Sequence, residues 1–247
     1  MVKMETQRIE WRGFEGVEFV VEGMKATIIN PKVESNKKWL LKTEYFDAFP
    51  GLEIELLKRG WHLAYNQNEN RWAEQEDLRR KANFVKFISK EFALNEKCVP
   101  VGMSCGGLYA VKLAAIIPEY IQALYLDAPV MNLLRCPFGF GAKKDKTVTV
   151  KEYITCTGRT QSEMLSYRDH PIDKLPVLLK HDIPVVLVSG DSDTVVPYEE
   201  NGELLEKYYK ENGGKIKVFI KKGGDHHPHG LEDSTLLADK IEEFACL

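Results

Sequence analysis

No apolar run in this sequence approaches the ~20 residues that a membrane-crossing helix needs. An excess of one charge sign is also missing. Lys+Arg total 34 and Asp+Glu 37, a net charge of -3 with a pI near 6.1. Without a basic field there is nothing to hold a phosphate backbone, so nucleic acid is not expected as a partner, nor is a membrane. The five cysteines (Cys98, Cys105, Cys136, Cys156 and Cys246) are odd in number and scattered, with no CxxC pair. They read as reduced thiols in a cytoplasm-like compartment. The first residues carry neither the apolar stretch nor the small-residue cleavage site of a secretory signal. Repeats and low-complexity segments are absent. What is present is an ordinary globular composition, 44% hydrophobic and 29% charged over 247 residues. A chain of that length buries a core without metal or disulfide staples.

Hydrophobic periodicity gives the order of elements. Residues 14–21 and 25–29 are β-rich and flank a turn at Gly23; residues 39–43 follow as a third strand. Helical and strand patterns then alternate: helix 52–59, strand 61–65, helix 71–92, strand 98–102, helix 106–117, strand 121–126. Residues 130–182 break the rhythm with Pro137, Gly139, Gly141 and the basic pair Lys143-Lys144, and hold short helical pieces near 150–153 and 162–167. Strand 183–188, helix 199–211, strand 215–220 and helix 231–244 restore it. This alternation predicts an α/β fold with a mostly parallel sheet covered on both faces, and antiparallel pairing at its strand-rich start. The irregular stretch is too long for a plain connection and reads as a cap inserted at about 130–182 into one domain spanning 1–247.

Three loops after strands carry chemistry. The first is Gly102-Met103-Ser104-Cys105-Gly106, between a strand and a helix. A serine hydroxyl becomes a useful nucleophile when it is exposed and has a base beside it. A tight strand-to-helix turn provides the exposure, glycines two residues either side make room for it, and the helix N-terminus favours developing negative charge. Pro100, just before the motif, is unusual in a central strand. The second loop is Gly190-Asp191-Ser192-Asp193, after an apolar strand. A histidine base needs a carboxylate to fix its tautomer. Asp193 is the candidate, and Asp191, next to the glycine, is expected to brace the loop. The third is Gly223-Gly224-Asp225-His226-His227-Pro228-His229, with three of the six histidines. His226, first after the strand, is the candidate base, with His227 and His229 in reserve. A metal is the competing reading of this cluster. It is set aside because Pro228 disfavours helical geometry at His227 and no Cys or Glu nearby completes a tetrahedral set.

The chain order Ser104, Asp193, His226, each after a strand, resembles the α/β-hydrolase superfamily, most closely its compact esterases related to the catalytic domain of the prolyl oligopeptidase family. The resemblance covers essentially the whole chain. It implies an eight-stranded sheet, a Ser-His-Asp triad, an acyl-enzyme and no metal or organic cofactor. It also implies an oxyanion hole of two backbone N–H groups. One comes from the residue after the nucleophile, Cys105. The other usually follows an earlier strand in a His-Gly context, where this chain reads Lys42-Thr43-Glu44-Tyr45. Tyr45 is the first choice for that donor and Glu44 the second, with Glu44 alternatively binding a substrate hydroxyl or amine. Asp127, at the end of a strand, and Met131 are candidate substrate contacts, although Asp127 fits a cap brace as well. Most of the apolar residues of the cap (Met131, Leu133, Leu134, Phe138, Phe140, Tyr167) are expected to pack it onto the body, and its cations (Arg135, Lys143, Lys144, Arg168) to be solvated. The implied function is hydrolysis of a small or carbohydrate-linked carboxylic ester. Peptide or amide cleavage and non-catalytic ligand binding are the alternatives.

Overall fold

The computed structural model describes residues 5–140 and 147–246. Lys143 and Lys144 lie outside the described residues. The strands are β1 (Gln7–Trp11), β2 (Phe14–Val21), β3 (Met24–Ile29), β4 (Trp39–Lys42), β5 (His62–Asn66), β6 (Val99–Met103), β7 (Leu124–Asp127), β8 (Val185–Gly190) and β9 (Ile216–Lys221). They form one sheet in the order β1-β2-β3-β5-β4-β6-β7-β8-β9. The first three strands and their junction with β5 are antiparallel, and every pairing from β5 to β9 is parallel.

The sheet has nine strands where eight were expected. The strand missing from the sequence reading, β1, offers only Ile9 and Trp11 as apolar residues and is otherwise exposed. Its pairing is fixed instead by a hairpin turn at Arg12 and Gly13, with φ of 48° and 83°. Two successive positive φ values match the twist of the flanking strands. The Pro100 difficulty is met by register. On the β7 side of β6, pairing is an isolated bridge at Cys98–Ile121 and resumes at Val101–Tyr125, so Pro100 falls in the gap.

The inner strands β4, β6, β7 and β8 are buried along their whole length and alternate their side chains between two cores. One core packs α1 (Gly51–Lys58) and α8 (Ser234–Phe244) against Leu40, Val101, Tyr125, Val186 and Val188. The other packs α2 (Gln75–Glu91), α3 (Cys105–Ile116), α6 (Leu175–Lys180) and α7 (Gly202–Glu211) against Leu41, Leu126, Val185 and Leu187. Helix α2 begins four residues later than the periodicity of 71–92 predicts. The Asn70 side chain accepts from the Trp72 N–H at 2.8 Å and Ala73 adopts a φ of 53°, so the chain still turns there.

Between β7 and β8 run α4 (Thr147–Thr157), α5 (Gln161–Met164), a 3-10 turn at Pro171–Lys174 and α6. The helical stretch from Pro171 to Lys180 was not expected from its two prolines. Each stands in the first turn of its segment, where no intrahelical partner is lost. No helix among the described residues is long and apolar enough to cross a membrane.

Candidate active site

The carboxyl ends of β6, β8 and β9 deliver the three motif loops to one edge of the parallel sheet, where open α/β sheets bind ligands. β6 ends at Met103 and α3 begins at Cys105, so Ser104 alone makes the turn, with φ 51° and ψ -119°. For a residue with a Cβ this backbone costs about 1–3 kcal/mol and persists only if the surroundings impose it. They do. The Ser104 N–H donates to the Asp127 carbonyl at 2.9 Å, and the Ser104 carbonyl accepts from Val130 N–H and Gly107 N–H, both at 3.0 Å. Space is equally constrained. A Cβ on Gly102 would meet the Gly106 carbonyl oxygen at 2.5 Å, and one on Gly107 would meet Pro129 Cβ at 2.4 Å. At Gly106 the nearest neighbour is Thr43 Oγ1 at 3.1 Å, a tighter fit than most but a less absolute one.

The structure brings Ser104, Asp193 and His226 together. Asp193 Oδ1 accepts from the backbone N–H groups of Val195 and Val196, both at 2.8 Å, which aims Oδ2 at His226 Nδ1, 2.7 Å away. A carboxylate only accepts, so the ring proton sits on Nδ1. The lone pair on Nε2 then faces Ser104 Oγ at 3.2 Å. Asp193 and His226 are buried. Asp191 braces the two loops, its Oδ1 accepting from Gly223 N–H at 2.7 Å. His227 is exposed and stacks on Phe49, while His229 Nδ1 lies 2.9 Å from Asp127 Oδ1. Of the three histidines, His226 is the one against Ser104.

Cys105 is the first residue of α3, so its N–H has no intrahelical partner and stands beside Ser104. Burial pushes its thiol up to about 11, which keeps it protonated near neutral pH and poorly suited to attack. Tyr45 takes a φ of 54° in the loop after β4. Its hydroxyl meets the Arg71 guanidinium and the Cys105 thiol, and its backbone N–H interacts with the Glu44 carboxylate. Glu44 accepts from the Asn68 amide. Burial, only partly offset by Asn68 and Lys81, raises the Glu44 carboxyl above its usual range.

Two candidate substrate contacts are fully buried. The first is Asp127. Its carboxylate is taken up by His229, by Gly230 N–H at 2.5 Å and by the Tyr125 hydroxyl at 3.1 Å, so it anchors the histidine loop. Burial alone would raise this carboxyl, yet the His229 contact and the nearby Lys221 hold it below the usual range. Met131 is fully buried in the α2/α3 core with Leu133 and Phe138. Leu134, Phe140 and Tyr167 pack against that core. Arg135 donates to the Phe140 carbonyl, and Arg168 to the carbonyls of Leu165 and Tyr167.

Sequence reading missed the supports of the Glu44–Tyr45 loop. Lys42 and Glu53, both 0% exposed, form a buried ion pair, and Lys42 also donates to the Ala48 carbonyl at 3.2 Å. The Thr43 hydroxyl lies 3.0 Å from the Val101 carbonyl and 2.7 Å from that of Gly106, tying this loop to the serine turn. Asn68 donates to the Thr43 carbonyl at 2.8 Å. Arg71 pairs through both nitrogens with Glu152 of α4. One signal was available: Lys42 directly follows the apolar run Trp39-Leu40-Leu41, and Glu53 stands between Leu52 and Ile54.

A parallel sheet crossed by a serine turn, with acid and histidine loops at its edge in that chain order, defines the α/β-hydrolase class. The prolyl oligopeptidase family model matches residues 59–245, and the chain belongs to that family. Solved structures share the fold at low identity. The acylaminoacyl peptidase of Pyrococcus horikoshii superposes with a TM-score of 0.64 at 14% identity over 91% of this chain, which spans only 37% of that one. A truncated carbohydrate esterase from gut microbiota gives 0.70 at 15% identity, over 90% of this chain and 91% of that one. Est1E from Butyrivibrio proteoclasticus gives 0.63 at 17%, over 98% and 97%. No curated protein matches the sequence at a significant level.

Proposed function

We propose that this protein is a serine hydrolase that cleaves a carboxylic ester, small or carbohydrate-linked, through an acyl-enzyme on Ser104. The observation that carries the proposal is the hydrogen-bonded chain from Asp193 through His226 to Ser104 on a strained turn. Ser104 Oγ attacks the acyl carbonyl while His226 Nε2 takes its proton. Asp193 holds the ring and stabilises the imidazolium. Cys105 N–H binds the oxyanion, a contact worth roughly 2.7–4 kcal/mol. Tyr45 N–H, in the loop after β4, is the second donor. His226 then protonates the leaving alcohol, and water clears the acyl group by the reverse route. No metal or organic cofactor enters these steps. Five scattered cysteines without a CxxC pair support a reducing compartment such as the cytoplasm.

The ester half of the proposal rests on the likeness to the carbohydrate esterase, nine-tenths of whose chain this one spans. A peptidase reading draws on the acylaminoacyl peptidase. Turnover of short p-nitrophenyl esters and acetylated sugars, compared with a proline amide and run beside Ser104→Ala, separates them. Ester turnover dominant and lost in the variant is the expected result. Amide turnover dominant replaces the substrate class. Turnover of neither, with a ligand retained, removes catalysis.

A further inference from the structure

His226, His227 and His229 form a triangle of imidazoles with ring centroids 4.8, 4.9 and 5.0 Å apart. Each ring can offer a nitrogen such that the three lie within 4.8 Å of one another. The spacing comes from a loop. Helical geometry, which Pro228 disfavours, is not used here, and in place of a Cys or Glu the third histidine supplies the third ligand, with the fourth position left to water.

The two inner rings are prepared for a cation. His226 Nδ1 rests on Asp193 and His229 Nδ1 on Asp127, at 2.7 and 2.9 Å, and all four side chains are buried. A carboxylate on Nδ1 fixes the tautomer and leaves the Nε2 lone pair to act as ligand, as in carboxylate–histidine–zinc sites. The two carboxylates also supply negative charge behind the rings. Three imidazoles around a tetrahedral Zn2+ at about 2.0–2.1 Å stand roughly 3.3 Å apart, so the triangle has to close by up to about 1.5 Å. His227 is the exposed corner, stacked on the exposed Phe49, so it is the ring with most room to approach the other two.

We infer that the His226–His227–His229 cluster is a binding site for a divalent transition cation of the zinc type, and that its occupation switches off Ser104 chemistry. The cation takes the Nε2 lone pair of His226 that otherwise faces Ser104 Oγ. The site itself stands on geometry alone; only its consequence rests on the hydrolase reading.

The test uses the full chain stripped with a chelator and titrated with Zn2+, reading heat of binding and p-nitrophenyl acetate hydrolysis. One Zn2+ should bind, inhibit, and be reversed by EDTA. His227→Ala should keep basal hydrolysis and lose roughly tenfold or more in both zinc affinity and zinc sensitivity. Ser104→Ala should bind Zn2+ at least as tightly as the wild type. Absence of binding overturns the inference, as does affinity unchanged in His227→Ala. It also falls if inhibition is relieved by replacing the exposed Cys156 and Cys246 with serine instead. An inactive chain that still binds one Zn2+ through His227 removes the hydrolase reading and leaves the site standing.

Discussion

At the scale of single residues, the least replaceable groups lie underneath the serine turn. Lys42 and Glu53 are charged, fully buried and paired, and Lys42 also holds the Ala48 carbonyl of the loop that carries Tyr45. Removing one partner of such a pair leaves an uncompensated charge. Lys42→Met should therefore cost about 3–5 kcal/mol in urea unfolding, and Lys42→Met/Glu53→Leu should recover most of it. A single variant as stable as the wild type would show the pair to be inert. His62 makes a pH-dependent contribution. Burial lowers its imidazole to about 4, between Ser35 Oγ and Asn30 Oδ1. Between about 6.5 and 4 the unfolded chain takes up a proton that the folded chain refuses. The stability is thus complete above the higher value and is lost as pH falls toward the lower one. His62→Gln should show a smaller drop in Tm between about pH 7 and pH 5 than the wild type, and an equal drop would remove His62 from the acid response.

At the scale of elements, strand and helix periodicity was legible wherever a segment had one dominant partner. The run 14–21 is β2 to the residue, and the apolar runs before Ser104 and Asp191 are β6 and β8. Helix and strand ends escaped where side chains decide them, as at Asn70 ahead of α2. The serine, acid and histidine loops were readable because each chemistry demands a residue type after a strand. The roles of Asp127 and Met131 were not, because facing a ligand or facing a core depends on neighbours distant in sequence. The segment between β7 and β8 is tied down by ion pairs such as Arg71–Glu152, Arg159–Glu74 and Lys112–Asp169. Asp169 is held at about 2 by Lys112 and Lys174 despite burial, so its pairs persist across neutral pH. Half-exposed pairs contribute roughly 0–1 kcal/mol each. Glu152→Gln should leave Tm nearly unchanged yet speed proteolytic cleavage within α4 and the turn that follows it, residues 149–160. A large fall in Tm, or unchanged cleavage, would mean that this pair does not fasten α4.

At the scale of the whole molecule, residues 104, 193 and 226 meet because β6, β8 and β9 run parallel and end at the same edge. Two cores hold the sheet rigid between them. Two further contacts knit the loops themselves: Thr43 to the serine turn, and Asp191 to Gly223. Fold class and chain order could be read from the sequence, because both are set by periodicity and by the position of loops after strands. The contact of Glu44 with Asn68 beside Tyr45 could not, since Asn68 lies after the next strand and Tyr45 takes a positive φ. The proposed chemistry requires this architecture to make one hydroxyl, that of Ser104, reactive. Its most direct test is labelling of the full chain with a fluorophosphonate probe, followed by mass mapping of the modified peptide. A single adduct on Ser104, absent from a folded Ser104→Ala variant, is the predicted result. Undiminished labelling of that variant, or an adduct on another serine such as Ser189 or Ser192, would contradict it.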